Sequence, residues 1–428
     1  MLKGLAKEEK SWILYDWASQ GYIMIIHSTI LGLYFLESAA MASIDEVTAN
    51  AYWGFGNTIA TVIVGIMAPV IGTLSGYKGK KKLMFNFFAS IGIIGTIALA
   101  LVPEHLWWLL LVIFMIASIG YSGSNKIYDA FLMDVSPKEN MNRVSTLGFG
   151  FGYIGGALPF ILSIPLVVMA QLEVIDMPLV TAYRISFWIA AIWWIIFGVG
   201  MFKNVHQKIG VDPEPQYIRK SFIGVWTTYK EIRKYKHIWV FLIAFFLYSD
   251  GLSSIIRLAT TYGRTIGLDA ITLLMVLLVT QFVAFPFAII YGKMAERIGA
   301  KKMIYFGIGT YCIICIIALT MNPARDIRFL TFMFWALAML VGTAQGGVQA
   351  LSRSYFGRII PKEKSNEFFG FYNIFGRFAS ILGTTFFSVI SLVTGRAHWG
   401  IAGIVVLFIA AAIVFRRVPD DRELAKED

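Results

Sequence analysis

Charged residues, cysteines and histidines are scarce in this sequence. Only 15 % of its 428 residues are charged, against about 25 % in a typical soluble domain. Cys312 and Cys315 are its two cysteines, and it has five histidines. A C-x-x-C pair can serve metal or redox chemistry, but this pair lies in an apolar run without flanking histidines or carboxylates, so we interpret it as apolar packing. The dispersed histidines supply no metal cluster and no nucleophile–base set, so we predict no cofactor, no metal site and no enzyme.

Three sequence patterns are also missing. No cleavable signal pattern precedes the first apolar run, because residues 1–10 are polar and the run that follows is long. No Asn-x-Ser/Thr acceptor occurs, which favours a bacterial inner membrane. No Gly-x-x-x-x-Gly-Lys-Ser/Thr loop occurs, so transport driven directly by ATP is not expected. The segment Gly150–Gly155 matches a dinucleotide-binding pattern, but it lies within an apolar run and follows no strand, so we reject that interpretation.

Apolar residues, in contrast, make up 57 % of the chain, and the mean hydropathy is +0.69. They form long runs, which predict an all-α membrane protein with twelve transmembrane helices. Each run holds about 19 to 29 residues, enough to cross a hydrocarbon core of about 30 Å at about 1.5 Å per residue. The predicted helices lie near residues 12–37, 49–75, 83–102, 106–128, 143–170, 182–202, 237–262, 270–292, 302–321, 328–352, 366–394 and 398–416.

The basic residues lie between these apolar runs. The termini and the even-numbered loops contain 29 lysine and arginine residues, whereas the odd-numbered loops contain 5. The other three, Lys126, Arg257 and Arg377, lie within predicted helices. By the positive-inside rule, this distribution places both termini in the cytoplasm. The net charge of +11 therefore indicates membrane topology, and no nucleic-acid partner is predicted.

Two pairs of loops resemble each other. Gly72–Lys82 follows the second predicted helix, and Gly292–Lys302 follows the eighth, 220 positions later. Pro137–Glu139 and Pro361–Glu363 follow the fourth and tenth helices, 224 positions apart. Matching loops after matching helices predict a tandem parallel repeat of two six-helix halves.

The predicted joint between the halves is polar and basic. We expect an N-terminal half over residues 1–203, a cytoplasmic linker over 204–236 and a C-terminal half over 237–428. Within the linker, Tyr217–Lys236 has apolar residues at helical spacing together with basic residues. This pattern is typical of an amphipathic helix on the inner face of the membrane.

The paired loops resemble the loop motif of the major facilitator superfamily, Gly-x-Leu-Ala/Ser-Asp-x-x-Gly-x-Lys/Arg-Lys/Arg. The second copy has Glu296 at the Asp position, whereas Gly76 in the first copy departs from the pattern. Further strings resemble the vacuole-effluxer-like branch of autophagy-related permeases and their bacterial relatives: Tyr15–Ala18, Phe246–Gly251, Gln345–Ser354 and Glu367–Asn373. The resemblance implies the major facilitator fold and a transporter, and the fungal members are associated with amino-acid efflux from the vacuole.

Asp250 and Arg377 lie deep in the seventh and eleventh predicted helices, about 20 Å and about 17 Å from the cytoplasmic helix starts. A charge at this depth is rare without a partner or an aqueous cavity. One interpretation is that the two residues pair with each other. The other is a substrate site in which Arg377 binds the carboxylate of a zwitterion and Asp250 binds its ammonium group. Because burial favours a protonated carboxyl group, Asp250 is also the candidate for proton coupling.

Tyr248, Gln345 and Gln349 complete the predicted set of substrate-binding residues. In facilitator folds, helices seven and ten line the central cavity, so the resemblance places these three residues near it. Gln345 and Gln349 are four positions apart, which puts both amides on one helix face beside two glycines. Hydrogen bonds between helices explain the two glutamines equally well.

The predicted gating residues are charged and lie near cytoplasmic helix ends: Asp16, Lys126, Asp129, Arg143, Glu296 and Arg297. Lys126 and Asp129 are three positions apart, so they can pair along one helix face. In facilitator folds, the loop after helix eight packs against the start of helix five. This resemblance implies that Glu296 lies near Arg143 when the cytoplasmic side is closed.

These features predict a secondary active transporter that moves a small polar or zwitterionic solute, with amino acids as one class, by alternating access coupled to protons. The expected partners are the solute, protons and the lipid bilayer, and we expect a monomer in the bacterial plasma (inner) membrane. Two alternatives remain open. One is another substrate class, such as a lipid, peptide or sugar, and the other is a transport-inactive sensor or scaffold that keeps the fold.

Overall fold

The computed structural model describes residues 2–212, 226, 228–321, 326–379 and 381–420. In these ranges all the regular elements are helices, apart from one isolated β-bridge. Each membrane span has one number, and a and b mark the parts of an interrupted span. The helices are α1a (Lys7–Tyr22), α1b (Ile30–Met41), α2 (Glu46–Gly76), α3 (Lys80–Leu101), α4 (Trp107–Val135), α5 (Met141–Gln171), α6 (Leu179–Asn204), α7 (Lys236–Thr265), α8 (Ala270–Ile298), α9 (Ala300–Leu319), α10 (Ile327–Ile359), α11a (Ser365–Phe378), α11b (Ile381–Thr394) and α12 (Ala397–Phe415).

The predicted all-α membrane fold is confirmed. In the described part of the chain, eleven helical segments are long and apolar enough to cross a membrane, and Trp399–Phe415 is a shorter apolar helix. Together they match the twelve predicted spans. The cytoplasmic placement of both termini stays a prediction.

Three predicted helix ends were too early, and one of them is that of α8, which continues to Ile298 rather than to about residue 292. α4 continues to Val135 rather than to about residue 128, and α10 continues to Ile359 rather than to about 352. The residues beyond the predicted ends of α4 and α10 include charged side chains such as Asp134 and Arg353, so hydropathy alone ends the helices before them. The bundle supplies partners for these polar side chains, and Asp134 and Arg353 are consequently helical and buried.

Spans one and eleven are interrupted, although each was predicted as a continuous helix. In span one, a π-helical turn over Ile23–His27 is followed by Thr29, whose φ of −140° and ψ of −81° lie outside the helical region. The Thr29 hydroxyl donates to the Met24 carbonyl, which gives that carbonyl a hydrogen-bond partner. In span eleven, α11a ends at Phe378 and α11b begins at Ile381. Such breaks are often found at functional sites of membrane proteins.

The chain divides into two compact units. Unit 1 consists of Met1–Ser136, Phe151–Val225 and Lys362–Gly370, and unit 2 of Pro137–Gly150, Trp226–Pro361 and Phe371–Asp428. Helix α5 therefore begins in unit 2 and continues in unit 1, whereas α11a begins in unit 1 and continues in unit 2. The predicted boundaries at residues 203 and 237 stay predictions.

The predicted linker helix lies partly outside the described residues, which exclude 213–225 and 227. Residues 228–234 are helical, and Ile232 is fully buried. Trp226 stacks on Tyr229 with 5.2 Å between ring centroids. The placement of this segment on a membrane surface stays a prediction.

Aromatic rings and small residues form the cores of both units. In unit 1, the Trp12 indole stacks on Tyr128 at 4.4 Å and donates to the Tyr128 carbonyl over 2.9 Å. In unit 2, Gly347 lies so close to Tyr291 that a Cβ at this position would overlap the ring. The Gly347 backbone therefore serves close packing of α8 against α10.

Candidate functional site

Asp250 on α7 is fully buried and caps the start of α11b. One carboxylate oxygen accepts from the backbone N–H of Leu382 at 3.0 Å, and the other from that of Gly383 at 2.5 Å. The first N–H groups of a helix have no partner within the helix, and they form its positive end. Because this helix starts within a membrane span, the Asp250 carboxylate supplies both the hydrogen bonds and the charge that its N-terminus needs.

The surroundings of Asp250 fit this role closely. The Ser254 hydroxyl donates to the Asp250 Oδ1 atom at 3.4 Å. A Cβ at position 383 would lie 2.8 Å from the same oxygen, so glycine is needed for the approach. A carboxylate has about four acceptor positions, and the described residues use three of them. The side chain of Arg377 lies outside the described part of the chain, so its pairing with Asp250 or with a substrate stays a prediction.

The other predicted substrate-binding residues are in different environments. Tyr248 is buried, and its hydroxyl forms a 2.7 Å hydrogen bond with the Ser352 hydroxyl. Gln349 is half-buried on α10. Gln345 lines a cavity in unit 2, and neither Asp250 nor Tyr248 is among the described residues that line it. Their assembly into one substrate site is therefore still a prediction.

The start of α5 is held to α10 by a buried arginine. Arg353 is 3 % exposed, and its Nε donates to the Ser145 hydroxyl at 3.0 Å. Its Nη2 donates to the Ser145 carbonyl at 3.2 Å, and its guanidinium lies 4.4 Å from the centroid of the Phe149 ring. Two hydrogen bonds and a cation–π contact thus connect one side chain of α10 to the first turns of α5.

Two further hydrogen bonds strengthen the α5–α10 contact. The Ser354 hydroxyl donates to Asn142 Oδ1 at 2.8 Å, and the Ser145 hydroxyl donates to the Ala350 carbonyl at 2.8 Å. Sequence reasoning missed these residues because α10 was predicted to end before Arg353. The available signal was the Gln345–Ser354 string, in which an arginine stands between two serines directly after an apolar run.

The predicted gating residues lie on four helices of the two units. Asp16 is buried on α1a, and its carboxylate accepts from the Tyr128 hydroxyl at 2.8 Å. Lys126 is buried and Asp129 half-buried on α4, Arg143 is half-buried on α5, and Glu296 and Arg297 are exposed at the end of α8. The proposed contact of Glu296 with Arg143 remains untested.

A buried ion pair lies at the junction of α3 and α4 in unit 1. Lys81 and Asp134 form this pair, and both side chains are 0 % exposed. The second Asp134 oxygen accepts from the backbone N–H groups of Lys208 and Ile209 at 2.7 and 2.8 Å. The carboxylate therefore fixes the chain that follows α6 as well as Lys81.

Gln207 attaches the same segment to the loop between α2 and α3. Its Oε1 accepts from the Lys81 N–H at 3.1 Å, and its Nε2 donates to the Tyr77 carbonyl at 3.1 Å. Tyr77 and Val211 form the isolated parallel β-bridge. We call residues 205–212 the strap, since Gln207 and Val211 hold it on this loop by hydrogen bonds, and Lys208 and Ile209 hold it on Asp134 of α4. The sequence predicted a polar linker here but not its attachment.

No metal centre is found in the described ranges, where no group of three or more His, Cys, Asp or Glu side chains is placed to bind an ion. Cys312 and Cys315 are free thiols, half-buried and buried, respectively. They lie on α9 among apolar residues.

Comparisons with known proteins agree with this architecture. The family model described as "Vacuole effluxer Atg22 like" matches residues 39–427. The uncharacterized MFS-type transporter YxiO of Bacillus subtilis is 43 % identical over 98 % of this chain and 97 % of its own length. Autophagy-related protein 22 of Kluyveromyces lactis is 21 % identical over 79 % of this chain and 72 % of its own.

A solved structure shows the same fold. The proton:xylose symporter XylE, a major facilitator superfamily protein, aligns with a TM-score of 0.71 over 97 % of this chain and 96 % of its own, at 12 % identity. YxiO is described as a transporter rather than an enzyme, and the chain is likewise a multi-pass membrane protein of a transporter family. The family match over most of its length and the close bacterial relative together place the chain in the vacuole effluxer Atg22-like family of the major facilitator superfamily.

Proposed function

We propose that this protein moves a small polar or zwitterionic solute across the bacterial inner membrane by alternating access, coupled to protons. Amino acids are the first substrate class to test. The observation that carries the proposal is the N-terminus of α11b inside a membrane span, capped by the buried carboxylate of Asp250. Discontinuous helices with charged groups at their ends form the binding sites of many secondary transporters.

The chemistry of this cap supports a role in binding and coupling. The described residues use three of the about four acceptor positions of the carboxylate, and in this proposal the fourth accepts from the ammonium group of a zwitterion or binds a proton. Protonation would remove the negative charge at the positive end of α11b and so weaken the cap. In this proposal Arg377 binds the substrate carboxylate.

Alternating access requires helix contacts that can separate and form again. Those between α5 and α10 are hydrogen bonds, each with a net value of about 0.5 to 3 kcal/mol, and water can replace them when the helices part. Such contacts suit two states that differ by only a few kcal/mol. We propose that Arg353 and Ser145 separate in one of the two transport states.

The proposal places both termini and the strap in the cytoplasm, as the positive-inside rule favours. Asp45 and Lys208 are exposed and lie on opposite sides in this topology. In a variant with Cys312 and Cys315 replaced by serine, an impermeant maleimide added to intact cells should label Asp45→Cys but not Lys208→Cys. Labelling of Lys208→Cys in intact cells would contradict the topology, and lysed cells control for reactivity.

The central test is transport by purified protein in proteoliposomes. An imposed proton gradient should drive accumulation of at least one labelled amino acid from a pool. If Asp250 binds the ammonium group, Asp250→Asn should abolish substrate binding. If it carries the proton, Asp250→Asn should retain exchange but lose accumulation against a gradient. Ser254→Ala, which removes the weakest contact of the same carboxylate, is the matched control and should keep both activities.

Two outcomes would reject parts of this proposal. Normal binding, exchange and pH-driven accumulation in Asp250→Asn would remove Asp250 from the mechanism. Uptake of lipids, peptides or sugars without any uptake of amino acids would change the substrate class. Absence of transport for all of these classes would favour a sensor or scaffold.

A further inference from the structure

A cavity of about 130 Å³ lies inside unit 2. It is bounded by α7, α8, α9, α10, α11b and α12, and its walls are mainly aliphatic and aromatic. Four of these helices line the cavity with, among others, Ile256, Leu277, Leu337 and Phe387. No charged side chain lines the cavity in the described part of the chain. The cavity is partly open, and its volume is close to that of an engineered cavity of about 150 Å³ that binds benzene.

Two amide side chains stand at one end of the cavity. Along α8, Gln281 is the last residue that lines the cavity, and along α10 the last lining residue is Gln345. The two helices run in the same direction, because Gly342 approaches Val283 and, further along both helices, Gly347 approaches Tyr291. Gln281 and Gln345 therefore lie at the same end of the cavity.

The amides of Gln281 and Gln345 are available for a ligand, while the other polar groups nearby are occupied. Neither glutamine side chain forms a hydrogen bond with any residue that the structure describes. The Thr280 hydroxyl donates to the Val276 carbonyl at 2.7 Å, and the Tyr262 hydroxyl donates to the Ala318 carbonyl at 2.8 Å. Each amide offers both donors and an acceptor, so one end of an otherwise apolar cavity can recognise a polar group.

We propose that this cavity binds an uncharged small molecule with an apolar body of about one aromatic ring and a single hydrogen-bonding group. The apolar body fills the space between α7 and α10, and the polar group bonds to Gln281 and Gln345. A charged ligand is disfavoured because no opposite charge compensates for its loss of water. The site shares Gln345 with the predicted substrate-binding set, but the described residues that line it include neither Asp250 nor Tyr248, so its ligand can be tested separately from transport.

The test uses the purified full-length protein in detergent micelles and three fluorinated probes. They are 4-fluorobenzyl alcohol, which is neutral, and 4-fluorobenzoate and 4-fluorobenzylamine, which are charged at neutral pH. Binding is measured from ¹⁹F line broadening in excess of that in protein-free micelles. We expect saturable binding of the alcohol, at least about tenfold tighter than that of either charged probe.

Two substitutions separate this site from partition into the micelle. Ala338→Phe fills the cavity from α10 and should abolish the saturable broadening, and Gln345→Leu should weaken binding about tenfold. Val406→Phe adds the same ring on α12 at a residue that is 59 % exposed and does not line the cavity, so binding should persist. If Ala338→Phe fails to fold, Ala259→Phe fills the cavity from α7 and should have the same effect.

Three results would overturn the inference. The first is equal broadening in the wild type and the filled variants, which means partition into the micelle only. The second is binding of a charged probe as tight as that of the alcohol. The third is an unchanged affinity for the alcohol in the double variant that carries both Gln345→Leu and Gln281→Leu.

Discussion

The first turns of α5 and α11a occupy matching places in the repeat but are held in different ways. Asn142 and Asn366 are 224 positions apart, as are the two Pro-Lys-Glu loops, and each is the second residue of its helix. Asn142 accepts a hydrogen bond from Ser354. Asn366 is 1 % exposed, and neither its Nδ2 nor its Oδ1 has a hydrogen-bond partner among the described residues. At these matching positions the Asn142 amide is therefore paired, whereas the Asn366 amide lacks a partner among the described residues.

The partner helices explain this difference. On α10, Arg353 and Ser354 bond to α5, whereas Asp129 and Ala130 stand at the matching positions of α4, 224 residues earlier. Alanine has no hydroxyl, so the Ser354 bond has no equivalent at Ala130. An unsatisfied buried amide costs about 1 to 3 kcal/mol. The hydrogen bond that Ser354 gives Asn142 is thus absent at the matching position of Asn366.

The repeated loops differ in a complementary way. Gly79 and Gly299 have φ values of +75° and +97°, so both loops use a backbone conformation that favours glycine. In the first copy, Lys81 pairs with Asp134. The matching residues of the second copy are Lys301 and Arg358, which have the same charge and cannot pair. The ion pair and the strap therefore stabilise the loop of the first copy, whereas the unit that holds the second copy is stabilised by the contacts of Arg353.

The largest effect is expected from breaking the buried ion pair of the first copy. Lys81→Met leaves Asp134 charged and buried, which should lower the free energy of unfolding by about 3 to 5 kcal/mol. The matched substitution Lys301→Met in the second copy should change it little. Denaturant unfolding in detergent measures both. A small effect of Lys81→Met would mean that the strap N–H groups alone compensate for the charge of Asp134.

A smaller effect is expected from Arg353→Lys in unit 2. Lysine keeps the charge but loses the planar fork that bonds twice to Ser145 and stacks on Phe149. The free energy of unfolding should fall by about 1.5 to 3 kcal/mol, and the rate of substrate exchange should change. Arg417→Lys, at an exposed site after α12, is the control. Unchanged stability and exchange in Arg353→Lys would show that the α5–α10 contact does not depend on the guanidinium.

The smallest effect, and the most direct comparison, comes from the two asparagines. Asn142→Leu removes the acceptor of the Ser354 bond and should destabilise the protein by about 0.5 to 1.5 kcal/mol. Asn366→Leu removes an amide that lacks partners and should leave stability unchanged or raise it. Thermal unfolding of the two variants side by side checks the opposite signs. Equal losses in both would contradict the proposed difference between the two helix starts.

The sequence by itself determined the membrane class, the number of spans and the repeat. Long apolar runs are unfavourable in water, so they indicate membrane spans. The charge bias of the loops between them can be read from the sequence without any tertiary contact. The short strings shared with the permease family pointed to the correct family for the same reason. Buried charges such as Asp250 were also recognisable, because a carboxylate at membrane depth needs a partner.

Only the tertiary structure decided which partner each buried polar group has. Asp250 lies 132 positions from Leu382, and Arg353 lies 208 positions from Ser145, and no local pattern connects residues so far apart. The ends of α4 and α10 and the break in span eleven depend on these distant bonds, since hydropathy does not distinguish a polar helical turn with partners from a loop. The cavity that Gln345 lines is a space between six helices, so its shape depends on how all six pack.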